Sequence, residues 1–450
     1  MRTLIRLTAP LGLLLSAPCL AQEGPAAAVS QGNLTADVTT LVDFGTRHTL
    51  SATDDPARGI GAARDWAVEQ FAAMAAACGG CLEIVQPEQT FTGNRIPQGV
   101  LIRNVVAIQR GSERPDEVVI VMAHIDSRAS DVMDAASDAP GANDNASGSA
   151  LVLEAARVLS SQNYPATVVY ALLSGEEQGL YGGQLLADYA LAQGWTVKAV
   201  LNNDVVGGSC GSDGLCNAAQ VRVFSEGERA DADAAAQAQM RSRGGGNDSP
   251  SRNISRWLDR LAMQHDDGLD VAQVWRSDRM GRGGDHLPFL DRGLPAVRFS
   301  VAVEDYEHQH QDVRVENGIV YGDTVAEMDF AYLAAVTRLN VTALDRLARA
   351  PMPPEVQIDG VVRPDVLLEW LPVPGAVEYK VWRRASDARD WELRLHLPGD
   401  AAADLNSVTL APDRGDDWIF GVSSLAADGS ESPVSSAVPG GEFRPMAPSL

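Results

Sequence analysis

The feature that most constrains this chain is an uninterrupted apolar segment, Val118-Val119-Ile120-Val121-Met122, which ends two residues before His124. A strand with one face in water alternates apolar and polar side chains, whereas a strand covered on both faces does not. Further strand-like segments lie at 104–108, 167–173, 198–205 and 296–300, among helical periodicity at 60–77, 147–159, 181–193, 254–263 and 325–348. This alternation predicts an α/β fold, a mostly parallel central sheet flanked by helices.

Acidic and imidazole side chains stand where three of these strands end. His124 and Asp126 follow the first strand, Glu176 and Glu177 follow the second, and Asp204 closes the third. Ligands of open parallel sheets bind beyond the carboxyl ends of the strands. We therefore expect these side chains to meet at one edge of the sheet.

The pattern changes after Pro351, Pro353 and Pro354, which predict a linker. Short strand-like segments at 366–370, 379–383, 391–395 and 418–424 are separated by Pro, Gly and Asp. They predict a small all-β sandwich, and residues 353–440 resemble a fibronectin type III domain. With 450 residues in all, the expected division is 22–350 for the α/β domain, 351–440 for the sandwich and 441–450 for a tail.

Residues 227–252 interrupt the α/β pattern with a segment of low complexity that contains Gly244-Gly245-Gly246. We expect a flexible, exposed insertion here, and the sequence leaves open whether it covers the site.

Residues 1–21 predict a secretory signal peptide, because Arg2 and Arg6 precede a short apolar segment and cleavage after Ala21 fits the small residues there. The apolar segment is well short of the roughly 20 residues that a membrane span needs. The expected location is therefore secreted or periplasmic. A formal net charge of −24 also argues against nucleic acid as a partner.

The four cysteines outside the leader form two local pairs, Cys78 with Cys81 and Cys210 with Cys216. In an oxidising compartment, two short disulfides are the favoured interpretation. A redox Cys-x-x-Cys motif or a zinc knuckle remains the alternative, although neither pair has a histidine close behind it.

Each acidic or imidazole group has an ordinary structural alternative when taken singly. His124 and Asp126 suit a hydrogen-bonded pair, Asp144 suits a helix cap, and Glu176 with Glu177 suits a solvated acidic loop. Asp204 lies in an apolar strand, where an unpaired carboxylate is costly. Two histidines, His308 and His310, share one loop after a buried strand. The order of all these acidic and imidazole residues along the chain favours a site for two adjacent divalent metals and a general base.

That order resembles the co-catalytic di-zinc aminopeptidase family over about residues 35–348. The motifs are Ala-His-Ile-Asp-Ser, Gly-Ala-Asn-Asp-Asn-Ala-Ser-Gly, Ser-Gly-Glu-Glu-Gln-Gly and Asn-Asn-Asp, and Asp285-His286 resembles a family segment near the substrate pocket. A hydrogen-bonded helix start is the alternative for that last pair.

The resemblance implies two Zn²⁺ ions and a role for each residue. One zinc would be held by His124, Asp144 and Asp204, and the other by Asp144, Glu177 and a later histidine. Glu176 would be the general base, and Asp126 would orient His124.

The later histidine is the weakest of these assignments. The family pattern places a Thr after the histidine and an Asp four residues on. His308 keeps the offset to Asp312 although the Thr is missing, which favours His308 over His310.

The implied activity is secreted aminopeptidase action, which is hydrolysis of the first peptide bond of a peptide substrate. A metallo-carboxypeptidase or dipeptidase on the same scaffold is the nearest alternative. A glutaminyl cyclase-like acyltransferase or a non-catalytic binding protein is less favoured. The sequence leaves the oligomeric state and the preferred first residue open.

Overall fold

The computed structural model describes residues 24–264, 268–399 and 403–446. The predicted signal peptide lies outside these residues, as does the end of the predicted tail. None of the helices within the described ranges combines the length and the apolar composition that a bilayer span requires.

An eight-stranded sheet forms the centre of the α/β part, in the order β1-β4-β6-β5-β7-β10-β8-β9. Four of its strand pairs are parallel, β5 with β6, β5 with β7, β7 with β10, and β8 with β9. This confirms the prediction of a mostly parallel central sheet. The strands of this part, including the β2–β3 and β11–β12 hairpins, are β1 Glu83–Val85, β2 Glu88–Gly93, β3 Ile96–Arg103, β4 Val105–Gln109, β5 Arg114–His124, β6 Ala166–Leu173, β7 Thr196–Asn203, β8 Gln220–Phe224, β9 Asp270–Val274, β10 Ala296–Val301, β11 Arg314–Glu316 and β12 Ile319–Tyr321.

Helices cover both faces of this sheet, as predicted. Short 3-10 turns at Pro25–Ala28, Gly245–Asn247 and Val325–Glu327 and a wide turn at Ala142–Ala146 accompany them. The helices are α1 Gln31–Asp43, α2 Gly59–Ala77, α3 Ser147–Leu159, α4 Glu176–Gly179, α5 Tyr181–Ala192, α6 Ala234–Arg243, α7 Pro250–Ala262, α8 Leu287–Leu290 and α9 Phe330–Arg349.

The central strand β5 shows why its sequence does not alternate. Val119 and Val121 pack into one core with α1, α2, α3 and α9. Val118 and Ile120 point the other way, into a second core with α5 and α8. Successive side chains of a strand face opposite sides, so a strand between two helical layers must be apolar throughout.

Two antiparallel sheets follow the linker and enclose a core of their own. One is ordered β13-β14-β17 and the other β16-β15-β18-β19. Trp370, Tyr379 and Phe420 are buried between them, in agreement with the predicted all-β sandwich, and the likeness to fibronectin type III stays a prediction. The strands are β13 Val356–Asp359, β14 Val366–Trp370, β15 Glu378–Ala385, β16 Glu392–Pro398, β17 Asn406–Leu410, β18 Trp418–Leu425 and β19 Ser435–Ser436.

The segment at 227–252 differs from the expected flexible insertion. It contains α6, and its end is buried against the sandwich. There the fully buried Asp248 accepts hydrogen bonds from Arg384 of β15 and Ser436 of β19, and Arg256 of α7 lies 3.7 Å from it. The low complexity of this segment gave no sign of the contacts to Arg384 and Ser436, which are 136 and 188 residues away in sequence.

The cysteines form the two predicted local disulfides, Cys78–Cys81 and Cys210–Cys216. The first closes the turn after α2, and the second closes the loop between β7 and β8.

Candidate metal centre

Strand register brings the predicted site residues to one edge of the sheet. His124 at the end of β5 pairs with Leu173 at the end of β6. On the other side Met122 pairs with Asn202, so His124 lies level with Asp204. Three strand ends therefore deliver His124, the Glu176–Glu177 pair and Asp204 side by side.

Asp126 connects two parts of this edge. Its backbone carbonyl lies 3.0 Å from Nδ1 of His124, and its carboxylate lies 3.5 Å from the same nitrogen. The carboxylate also accepts hydrogen bonds from the backbone N–H groups of Glu176 and Glu177 and from the hydroxyl of Thr49. The ring nitrogen that faces Asp126 is thereby fixed, which leaves Nε2 of His124 free to face the centre.

Glu176 and Glu177 begin the short helix α4, and the preceding Gly175 sets its direction. Gly175 has φ +81°, and a Cβ there would lie 2.8 Å from Cδ1 of Ile102. The positive φ favours glycine, and a Cβ here would also displace the end of the Ile102 side chain. The turn directs Glu177 into the buried centre and leaves Glu176 half-buried beside it.

Asp144 enters from the wide turn before α3, and Asp323 holds this turn in place. The carboxylate of Asp323 accepts hydrogen bonds from the backbone N–H groups of Asn143 and Asp144, at 2.7 and 2.6 Å. The fully buried Arg47 donates to the carbonyls of Pro140 and Gly141. These long-range contacts fix the approach of the Asp144 side chain.

The two carboxylate oxygens of Asp144 face different imidazoles. Oδ1 lies 3.2 Å from Nε2 of His124, and Oδ2 lies 3.0 Å from Nε2 of His310. His310 is also 3.1 Å from Oε1 of Glu177, while Asp204 lies 3.8 Å from His124. The structure thus forms two donor groups that share Asp144: His124 with Asp204, and Glu177 with His310.

The structure places His310 beside Asp144 and Glu177, and not His308, which the sequence favoured. Nδ1 of His308 lies 2.7 Å from Asp305, and Nε2 of the same ring lies 3.8 Å from Glu327. His310 has the left-handed φ of +54°, which turns its ring toward Asp144. A four-residue offset in sequence does not encode this turn of the backbone.

Burial and the charges of these neighbouring groups shift the pKa values of His124 and Glu176 strongly. Burial favours neutral His124, but Glu176 and the carboxylates of Asp126, Asp144 and Asp204 outweigh it and raise the pKa of His124 well above its usual value. Burial also raises the pKa of Glu176 well above its usual range, and nearby Asp204 and Glu177 add to this effect. So many carboxylates around two imidazoles favour bound cations.

Arg298 was not singled out from the sequence, yet it neutralises part of this charge. Its fully buried guanidinium lies 2.9 Å from Asp204. Burial would raise the pKa of Asp204, but Arg298 and His124 hold it well below its usual range. Gln309 likewise donates to Oδ2 of Asp144 at 2.8 Å. Only tertiary structure brings Arg298, Gln309 and Asp323 to the site.

Asp285 supports the first turn of another helix. Its carboxylate accepts a hydrogen bond from the backbone N–H of Gly183 in α5, at 3.0 Å. Its side chain does not cap α8, the helix that follows it in sequence. The expected hydrogen-bonded helix start is therefore present, but the helix is α5.

An open pocket leads to the centre. Asp144, Glu176, Glu177, Asp204 and His310 line its base. Arg95 and Arg128 also line it, together with Arg279 and Arg282. A substrate in this pocket would contact Glu176 and the shared Asp144 group together.

Comparison with known proteins agrees with this geometry. Residues 104–317 match Peptidase family M28. The chain is 40% identical over 435 residues to a probable zinc metalloprotease of Leptosphaeria maculans, covering 96% of this chain and 100% of that relative. It is also 40% identical over 448 residues to a probable zinc metalloprotease of Pyricularia oryzae, covering 96% and 88%.

Among solved structures, the LapA aminopeptidase of Legionella pneumophila aligns with a TM-score of 0.51 and 20% identity, covering 77% of this chain and 80% of that chain. An aminopeptidase from Aneurinibacillus sp. strain AM-1 aligns with the same TM-score and 14% identity, covering 72% and 95%. These two alignments establish the shared fold. The sequence relatives confirm the prediction of a peptidase, and the chain belongs to Peptidase family M28.

Proposed function

We propose that this chain is a secreted or periplasmic di-zinc aminopeptidase that hydrolyses the N-terminal peptide bond of peptides. His124, Asp144 and Asp204 would hold one zinc, and Asp144, Glu177 and His310 would hold the other. The observation that carries the proposal is the Asp144 carboxylate, whose two oxygens lie 3.2 and 3.0 Å from two different imidazoles.

The residues present fit a pair of zinc ions. Imidazole nitrogen and carboxylate oxygen are zinc ligands. Nε2 of His310 lies 3.1 Å from the buried Oε1 of Glu177, but this oxygen has no hydrogen bond of good geometry to the part of the chain that the structure describes. A buried carboxylate oxygen in this situation is costly, and a cation held between the two groups would remove that cost.

Bound zinc would supply the Lewis acidity that polarises a peptide carbonyl and makes water more acidic. Glu176 lines the pocket beside the two donor groups and belongs to neither of them, so it would not be a zinc ligand. It would accept the proton of the attacking water and deliver it to the leaving amine. Asp126 positions both Glu176 and His124 through the contacts described above.

Two further observations support the location and the choice of bond. Two disulfides suit an oxidising compartment. The relatives at 40% identity are named as probable zinc metalloproteases, and two proteins with this fold are named as aminopeptidases. Cleavage at the amino terminus is therefore the reaction to test first.

Glu176→Gln tests the proposal. We expect the kcat for release from aminoacyl anilides to fall by about 10²- to 10⁴-fold, because the general base is lost. Zinc content, measured by mass spectrometry, should stay at the wild-type value, since Glu176 binds no metal. A variant that keeps wild-type turnover would refute the role of Glu176.

Zinc content and products together test the class of enzyme. Wild-type protein should carry about two zinc ions per chain. Release of the first residue identifies an aminopeptidase, whereas release of the last residue from blocked peptides identifies a carboxypeptidase. A zinc-free preparation that cleaves peptides at the wild-type rate would contradict the metal assignment.

A further inference from the structure

Four arginines surround the pocket of an otherwise acidic chain. Arg95 lies in the turn between β2 and β3, Arg128 follows β5, and Arg279 and Arg282 lie between β9 and α8. The formal net charge of the chain is −24. Three separate segments therefore bring cations to one pocket of a molecule with an excess of acids elsewhere.

Arg95 and Arg128 have charges that no carboxylate neutralises within the described residues. Arg95 donates to the backbone carbonyl of Glu177 at 2.6 Å. Arg128 donates to the carbonyls of Ala129 and Ser130, at 3.1 and 3.2 Å. Each guanidinium has five N–H donors, so both retain donors for a ligand.

Arg279 and Arg282 share the carboxylate of Glu304, and Arg279 also lies 3.2 Å from Oδ1 of its neighbour Asp278. Oε2 of Glu304 lies 2.9 Å from Nη1 of Arg282 and 3.5 Å from Nη1 of Arg279, while Oε1 of the same residue pairs with Arg222. The Arg279 side chain is only 8% exposed, and its buried Nη1 finds no hydrogen-bond acceptor in the described residues. Glu304 and Asp278 thus serve four guanidinium groups, those of Arg222, Arg279, Arg282 and Arg298, so positive charge is in excess on this side of the pocket as well.

This excess fits an anionic group of the substrate. Under the proposed function, bound zinc offsets the charges of Asp144, Glu177 and Asp204, so these carboxylates do not neutralise the arginines. Guanidinium groups pair with carboxylates through two parallel hydrogen bonds. Arg95 is exposed, whereas Arg128 and Arg282 are half-buried and Nη1 of Arg279 is buried. A neutral peptide that covered this pocket would leave the donors of these arginines without a charged partner.

We propose that the arginines bind a carboxylate of the peptide substrate, on the leaving-group side of the bond that is cut. The inference rests on the proposed function and names its substrate class. The carboxylate is either the free C-terminus of a very short peptide or the side chain of an acidic second residue. Arg95 and Arg128 are the specificity-determining residues, because their charges are free.

Four matched peptides separate the two sources: Leu-Ala, Leu-Ala-amide, Leu-Glu-amide and Leu-Gln-amide. We expect kcat/KM for one carboxylate-bearing peptide to exceed that of its neutral match by about tenfold or more. Leu-Ala over its amide identifies the C-terminus, and Leu-Glu-amide over Leu-Gln-amide identifies the side chain. Arg95→Gln and Arg128→Gln should each reduce this ratio, whereas Arg110→Gln, an exposed arginine paired with Glu83, should keep it.

Calorimetry with the zinc-loaded Glu176→Gln protein gives the same comparison without turnover. Tighter binding of the carboxylate-bearing peptide, weakened when Arg128→Gln is added, supports the inference. Equal binding and equal kcat/KM for all four peptides would overturn it. If aminoacyl anilides are cleaved but no peptide preference appears, this inference fails alone, whereas loss of anilide cleavage is a failure of the proposed function.

Discussion

At the scale of single residues, the question is which histidine, His308 or His310, completes the donor group of Asp144 and Glu177. The sequence offers both histidines within one loop, and the spacing to Asp312 favoured His308. The structure places His310 beside Asp144 and Glu177. The backbone φ of His310 determines this outcome, and no pattern of residue types in the loop reports it.

Substituting each histidine gives a matched pair of variants. His310→Ala should reduce bound zinc after dialysis from about two to about one per chain, because one donor group loses its imidazole. His308→Ala should keep both ions, since His308 contacts Asp305 and Glu327 instead. Mass spectrometry of the dialysed proteins measures both. Loss of zinc from His308→Ala alone would reverse the assignment.

Most of the donor set could still be predicted from sequence. His124, Glu177 and Asp204 follow apolar strands whose order along the chain is clear, so their convergence follows from parallel topology. Asp323 and Arg298 could not be predicted in the same way. They act through contacts to a distant turn and to a neighbouring strand, and each stands in sequence as an ordinary charged residue.

At the scale of elements, the turn between β6 and α4 sets the direction of both glutamates. Gly175→Ala would force a left-handed conformation on an L residue, which costs roughly 1–2 kcal/mol. It would also bring a methyl group against Ile102. The kcat of Gly175→Ala should therefore fall below the wild-type value, because Glu176 and Glu177 are displaced together. The loss of unfolding free energy should stay near the cost of the backbone strain.

Gly194→Ala is the control for backbone strain. Gly194 has φ +70°, and no atom lies within 4 Å of the position of its missing Cβ. This variant should lose a similar roughly 1–2 kcal/mol of unfolding free energy and keep its kcat. Peptidase assays and urea unfolding of both variants test the difference. Equal kcat in Gly175→Ala and wild type would contradict the role of this turn.

The long elements could be predicted because burial on two faces leaves a strong apolar signal, as in β5, β6 and β7. The short strands β1, β2 and β3 are largely half-buried or exposed and carry no such signal. Helix α6 was missed for a related reason. Its sequence is Ala-rich and polar, and apart from Met240 it offers no buried face for periodicity to reveal.

At the scale of the whole molecule, the α/β part and the sandwich, the two units of the chain, are joined by the buried ion pair of Asp248 and Arg384. Asp248→Ala would leave Arg384 buried without its carboxylate, which costs about 3–5 kcal/mol. We expect the wild-type protein to unfold in a single transition in denaturant and the Asp248→Ala variant to unfold in two. Asp138→Ala, which removes an exposed partner of Arg58, should change stability by less than about 1 kcal/mol. An unaltered single transition in Asp248→Ala would show that the contact does not couple the units.

The change in strand pattern and the prolines predict where the sandwich begins, but no feature of the sequence predicts how it packs against the α/β part. The contact joins the start of α7 to β15 and β19, and neither segment has a composition that indicates an interface. A contact of this kind depends on the surface shapes of two folded units, which residue patterns in a single sequence do not describe.

The segment between β10 and α9 determines when, during synthesis of the chain, the proposed metal centre can form. Its residues His310 and Asp323 supply one donor and the support for the Asp144 turn, although the first donor stands at His124. A ribosome must therefore synthesise nearly three quarters of the polypeptide before the last piece of the reaction centre exists. Chains that end before His310 lack one donor of the proposed centre, and we expect them to be inactive.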